Sequence, residues 1–295
     1  WGISGNNNIG NYEHVGYMSN LGGYVLGGQI VPTRYPSAFV DNLLGWEKTD
    51  QYNVGMDLSF LRNRLTLSAN YYNSISNDLL FNKPISAIAG ATQYKSNLSN
   101  AKIRNTGFDI QVDGRILTGP VTWNVGANLS LNRNKVLSLP DSQSIVSIGE
   151  RSAISHITMV GKPIGSFYGL NSLGVISEEE YQRILVDKQH IGEEGYQLTG
   201  PAVWNYENVQ PGDAKWKDVN NDGKITDDDR EILGDNSPDF TYGFSTNISY
   251  KGVSLSASFS GVQGAQVISF QNYYLLNMEG TCNQFALAAD RYNSV

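Results

Sequence analysis

The stretch "DVNNDGKITDDD", residues 218–229, places oxygen donors at the spacing of a calcium loop, D-x-[DN]-x-D-G. Asp218, Asn220 and Asp222 offer side-chain oxygens at loop positions one, three and five. Gly223 makes the sharp turn, Lys224 would lend its backbone carbonyl, and Ile225 is expected to pack inward. Thr226 would act directly or through water, and Asp229 holds position twelve. A bidentate Glu is usual there, and the shorter Asp reaches less far, so Ca2+ affinity is expected in the range of about 10⁻⁴–10⁻³ M. The competing reading is an Asp/Asn turn held by its own Asx hydrogen bonds. The role expected of a bound ion is structural, because protein fills the ligand positions and no base stands beside them.

Other chemistry is sparse. Asp227, Asp228 and Glu231 read as a solvated charge run. His14, His156 and His190 sit in unrelated segments, and no Ser/His/Asp spacing, HExxH or Gly-rich phosphate loop occurs. The expectation is a non-enzyme. Cys282 stands alone, so there is no disulfide framework within the chain, and one thiol with three scattered histidines suggests no zinc site. Trp204, Tyr206 and Trp216 are candidate ligand or partner contacts, able to stack on sugar faces or to meet a lid partner. The favoured reading of any one of them is an anchor that folds the long 134–238 loop on itself, and the same discount applies to Tyr17, Tyr24 and Tyr35.

These residues hang between segments of strict period two, the mark of β-strands. In 121–132 one face carries Val121, Trp123, Val125, Ala127, Leu129 and Leu131; the other carries Thr122, Asn124, Gly126, Asn128, Ser130 and Asn132. The segments 52–60, 65–72, 107–113, 240–250 and 253–260 repeat the pattern, and none of the six apolar faces holds a charge. A charge at the lipid-facing midplane of a barrel costs roughly 2–4 kcal/mol. The opposite faces use Ser, Thr, Asn and Gly with an occasional Asp. That composition suits a wet lumen, whereas a free outer surface usually carries long charged side chains.

The connections are uneven. "LRNR" (61–64), "LTGP" (117–120) and "YKG" (250–252) are short turns, while 6–46, 80–101 and 134–238 read as long polar stretches. Counting strand directions places the three short turns on one side, the arrangement of an outer-membrane barrel. It also requires that 134–238 hold no spanning strands or an even number; "AISHITMV" and "IGSFYGLNSLGVI" could supply one hairpin. No run of about 18 apolar residues exists, which leaves β-strand spans open. The net charge of −7 argues against a nucleic-acid partner. Charged residues make up 17%, below the ~25% of soluble domains. Too few strands are present to close a barrel, so the expectation is a piece of something longer.

The segments "GWEKTDQYNVGMDLSFLRNRLTLSANYYNSISNDLL", "IRNTGFDIQVDG", "GKPIGSFYG", "NNNIGNY" and "PGDAKWKDVNNDGKITDDDREILGDNSPDFTYGFSTNISYKGVSLSASFSGVQG" resemble the SusC/RagA family of TonB-dependent outer-membrane transporters of Bacteroidetes. The resemblance implies an all-β fold, a slice of an antiparallel transmembrane β-barrel of about 22 strands closed by a plug. It implies TonB as energy source through an N-terminal region not seen here, a SusD-like surface lipoprotein as partner, and oligosaccharide or peptide cargo. On this reading residues 1–295 are partial barrel in outer-membrane lipid, with 134–238 a mainly extracellular insertion. The alternative is a soluble extracellular calcium- or carbohydrate-binding β-module.

Overall fold

The computed structural model describes residues 1–6, 15–16, 18–36, 39, 41–86, 88, 93–140, 144–148, 155–191, 193, 195–276 and 283–290. Tyr17, His14, Cys282 and most of "NNNIGNY" therefore lie outside the described residues. The chain divides into two compact units: 1–145 with 158–164 and 237–265, and 146–157 with 165–236 and 266–295.

The chain starts with β1 (Gly2–Asn6), followed by the hairpin β2 (Met18–Leu26) and β3 (Gln29–Pro36). Four long strands come next: β4 (Glu47–Phe60), β5 (Leu65–Pro84), β6 (Gln93–Thr118) and β7 (Val121–Ser138). The inserted segment holds β8 (Ile145–Ile148), β9 (Ser155–Thr158), β10 (Ser166–Gly169), β11 (Ser172–Val175), α1 (Glu178–His190), β12 (Ala214–Trp216) and β13 (Glu231–Gly234). The wall resumes with β14 (Phe240–Tyr250) and β15 (Val253–Gln263), and α2 (Phe270–Leu275) follows.

One antiparallel sheet of seven strands, in the order β1-β4-β5-β6-β7-β14-β15, contains all six alternating segments. Its turns show why those sequences bend where they do. Leu61, Arg62 and Asn63 all have positive φ, and Arg64 donates from Nε and Nη2 to the carbonyls of Arg115 and Ile116. Lys251 and Gly252 both take positive φ, which suits a tight two-residue hairpin loop.

Register aligns the faces. Leu58, Leu67, Val112, Ala127, Phe244 and Phe259 form one cross-strand row, and the next residues along, Ser59, Thr66, Asp113, Gly126, Ser245 and Ser258, form a row on the opposite face. Phe259 is 61% exposed and Val54 70%, and no side chain of these apolar rows belongs to a buried core cluster. From Val121 to Leu131 the apolar side spans ten residue steps, about 33 Å along the strand and about 25 Å in height at a tilt near 40°. The apolar band of an outer-membrane barrel is likewise about 25 Å tall.

Two boundaries differ from the sequence reading. The stretch 80–101 is largely strand: β5 runs for 20 residues and β6 for 26, well beyond the 9–11 that cross a bilayer. The missed portions mix polar residues with Leu79, Phe81, Leu98 and Ala101, which pack into a local cluster, and a bulge at Asp78 shifts the phase of the alternation. Similarly, β7 runs on to Ser138, and β14 pairs directly with β7 despite the intervening hundred or so residues. The segments considered for a spanning hairpin do pair, as β9 and β10, but each is four residues long and belongs to a separate sheet ordered β13-β10-β9-β8. Among the described residues the insertion contributes no strand to the wall, so the strand parity holds.

Candidate functional site

The second unit builds its site on a small core of Ile176, Ile184 and Val203, with Tyr181, Tyr206 and Val209 packed around it. Helix α1 starts in a capping box: Glu180 N–H donates to Ser177 Oγ at 3.2 Å, and Ser177 N–H donates to Glu180 Oε2 at 3.0 Å. From the buried side of this helix Asp187 accepts from the amides of Thr199 and Gly200 and from the hydroxyls of Tyr196 and Thr199. Burial raises its affinity for a proton, but these bonds outweigh burial and hold the carboxyl below the ordinary aspartate range. Asp187 thereby ties the segment 196–200 to the helix.

The loop 218–229 follows on the far side of Val203. Ile225 is 2% exposed, as expected of an inward residue, and its amide donates to the Val203 carbonyl at 3.2 Å. Asp218 accepts from the amides of Asn221 and Gly223, Asn220 from that of Asp222, and Asp222 from that of Lys224. Gly223 has φ +82, and a Cβ there would lie 2.1 Å from Leu198 Cδ1. Glycine is therefore required by the turn itself. Asp229 is fully buried; it accepts from the amides of Thr226 at 2.7 Å and Val219 at 2.9 Å, and these bonds, led by Thr226, hold its carboxyl below the usual range.

The oxygen donors of this loop are of the type that calcium takes. Their convergence is another matter: among the described residues no group of three or more His, Cys, Asp or Glu side chains comes close enough to hold an ion. Asp229, assigned to position twelve, is committed to backbone amides, Asn220 and Asp222 each close an Asx turn, and Asp218 spans the loop to the amides of Asn221 and Gly223. Thr226 caps the short helical turn 227–229 through its hydroxyl, and Lys224 is exposed.

The three aromatic candidates separate. Tyr206 is an anchor: its hydroxyl donates to the Gly223 carbonyl at 2.8 Å, tying the core to the loop. Trp204, 59% exposed, and the half-buried Trp216 line one cleft of about 260 Å³. Its floor is Ile176 and Val203, and Asn205, Asn208 and Asp213 share its walls. Asp213 Oδ2 accepts from Gln210 N–H and Asn205 Oδ1 from Glu207 N–H, leaving Asp213 Oδ1 and the Asn205 amino group for a ligand. Indole faces beside amide and carboxylate groups suit a ring bearing hydroxyls. The sequence reading missed Asn205, Asn208 and Asp213, which are ordinary loop residues until the fold gathers them. Of the first-loop tyrosines, Tyr24 lies on the β2–β3 hairpin and is 63% exposed.

Similarity to known proteins agrees with this architecture. Residues 5–257 match the family model described as TonB dependent receptor-like, beta-barrel. The chain is 30% identical over 292 residues to TonB-dependent receptor P3 of Formosa agariphila, covering 97% of this chain and 27% of that protein. It is 27% identical to TonB-dependent receptor SusC of Bacteroides thetaiotaomicron, covering 88% of this chain and 24% of that one. The structure of the RagAB peptide transporter superposes with a TM-score of 0.74 at 23% identity, over 97% of this chain and 28% of that chain. The chain thus spans about a quarter of the length of its relatives. With a match over most of its length and the same antiparallel architecture, the chain belongs to the TonB-dependent receptor β-barrel family.

Proposed function

We propose that the chain forms part of the wall and surface of an outer-membrane importer that takes up oligosaccharides or peptides. In this reading TonB drives the uptake and a SusD-like surface lipoprotein delivers the cargo. The observation that carries the proposal is the seven-stranded sheet with an apolar band about 25 Å tall on one side and small neutral polar groups on the other. Kinship to SusC and the fold shared with RagAB support the same reading. The Trp204–Trp216 cleft favours sugar over peptide, because its free groups are directional and its walls aromatic. The test is uptake of labelled neutral oligosaccharides and of labelled peptides by cells carrying the complete transporter, with and without TonB. Uptake that depends on TonB supports the proposal; equal uptake of both cargoes in cells lacking TonB or the transporter refutes it.

We further propose that the loop 218–229 takes Ca2+ weakly, with Asp218, Asn220, Asp222, Lys224, Thr226 and Asp229 as donors and a structural role. Donor type and spacing support this, and the short Asp229 at position twelve, where a bidentate Glu is usual, supports the low affinity. Calorimetric titration of the complete transporter should give a dissociation constant no tighter than about 10⁻⁴ M. Unchanged heats after replacement of both Asp218 and Asp222 by Asn would remove this loop from consideration.

A further inference from the structure

The outward face of the sheet changes character immediately above the apolar band. On β7 the face that carries Leu129 and Leu131 continues with Arg133 and Lys135, and on β6 the face of Phe108 continues with Thr106 and Arg104. Register sets Arg104 directly opposite Lys135. Like charges placed so are destabilising unless something between them is negative. Neither residue makes an ion pair or side-chain hydrogen bond among the described residues, and both are exposed. Lys102 and Lys48 share the same face one row further up, on β6 and β4.

Nearby acids do not neutralise the pair. Asp239 is engaged with Arg133 at 3.3 Å, and Asp50, two strands from Arg104 in the same row, accepts from Asn77 Nδ2 at 3.2 Å. Arg104, Arg133 and Lys135 instead line a concavity of about 490 Å³ with Tyr71, Asn73 and Thr106, whose side chains add hydroxyl and amide groups. Arg133 stands two residues past Leu131, about 7 Å along the strand and about 5 Å higher on the bilayer normal. That is the depth at which lipid headgroups begin.

We propose that Arg104, Arg133 and Lys135 form a binding site for the phosphate of a lipid headgroup in the outer leaflet. The phosphate would sit between Arg104 and Lys135, relieve their repulsion and accept from Asn73 Nδ2, whose Oδ1 takes the Thr106 hydroxyl at 3.1 Å, while the lipid's acyl chains lie on Phe108 and Leu131 below. Arg is suited to the task through its forked donors, and Lys supplies a point charge. The site rests on the outward orientation of the apolar face and is independent of the cargo.

The experiment uses the complete transporter in phosphatidylcholine nanodiscs, with and without bisphosphorylated lipid A, read by native mass spectrometry for retained lipid. Replacing both Arg104 and Lys135 by Gln should lower retained lipid A about 25-fold, at about fivefold per cation removed near a membrane surface. Lys251→Gln, at the short-turn end, should change nothing, and the exchange R104K with K135R should restore retention. Heat-modifiable migration on gels verifies that each variant is folded. Equal retention by the double Gln variant overturns the proposal. So does displacement of the lipid by millimolar inorganic phosphate, which would mark a site for free anions. Failure of the wild type to enter nanodiscs would instead refute the barrel reading itself.

Discussion

The hydroxyl of Tyr206 donates to the carbonyl of Gly223 at 2.8 Å, joining the core beneath α1 to the sharpest point of the 218–229 loop. Burial, reinforced by the carboxylates of Asp187, Asp218 and Asp222, pushes this phenol above its ordinary range, so it remains a donor at any physiological pH. Tyr206→Phe keeps the ring and deletes the bond. The expected loss is about 1 kcal/mol, confined to this unit. Hydrogen exchange should show faster opening at residues 219–226, with the wall strands unchanged.

Asp187 and Asp229 make the same unit sensitive to acid. Both carboxyls lie below their ordinary range in the folded state, through bonds from Thr199 and Gly200 and from Thr226 and Val219 respectively. A depressed carboxylate stabilises the fold fully above its unfolded value, near pH 4, and loses that contribution as pH falls through the lower folded value. Exchange protection of the amides of Thr199, Gly200, Val219 and Thr226 should therefore be flat from pH 7 to about pH 5. It should collapse only in stronger acid. Asp187→Ala, which removes the acceptor of two amides and two hydroxyls, should cost several kcal/mol, of order 3, above about pH 5, and less in strong acid, where the wild type has lost the same contribution.

How far the sequence could be read depends on what surrounds each residue. Trp123, Leu129, Phe244 and Phe259 were legible as one face because lipid on one side and water on the other impose period two. The strands past Asn77 on β5 and before Lys102 on β6 were not, because a bulge at Asp78, with φ +55, shifts the phase of the alternation, and Leu98 and Ala101 are buried with Leu79 and Phe81 in a local cluster rather than set in an apolar row. The inward Ile225 follows from the loop pattern and could be read directly, whereas helix α1 was not expected, although the capping box at Ser177 and Glu180 is the local signal that marks its start. The Trp204–Trp216 cleft and the Arg104–Lys135 pair depend on residues distant in sequence, so only strand register and tertiary packing bring them together. Spacing alone also left the 218–229 loop between ion site and Asx turn, since the same oxygens serve both.

Gly107 faces Tyr72 across β5 and β6, and a Cβ on Gly107 would fall 2.1 Å from the Tyr72 ring. The ring therefore lies flat over the glycine, and its hydroxyl reaches Asn132 on the next strand at 3.1 Å. Glycine here provides the room that lets one side chain brace three strands. Gly107→Val should lift the ring, break the bond and cost about 1–3 kcal/mol. Tyr72→Ala with Gly107→Val should recover part of the loss. The yield of heat-modifiable barrel after refolding of the complete protein measures both.

Ala127 and Asn128 are neighbours on β7 that point to opposite sides of the sheet, in rows with Phe244 and Gly243 respectively. Arginine at either position adds the same charge at nearly the same depth. On the lipid side it must hold its guanidinium near the middle of the bilayer, at a cost of roughly 2–4 kcal/mol. On the lumen side it meets water and groups such as Gln111, its partner across β6, and the cost should stay below about 1 kcal/mol. Denaturant titration of the complete protein in lipid bilayers should separate Ala127→Arg from Asn128→Arg by at least about 1 kcal/mol. Equal effects would mean that the two faces share one solvent, and the band of apolar rows would then have to be buried against protein.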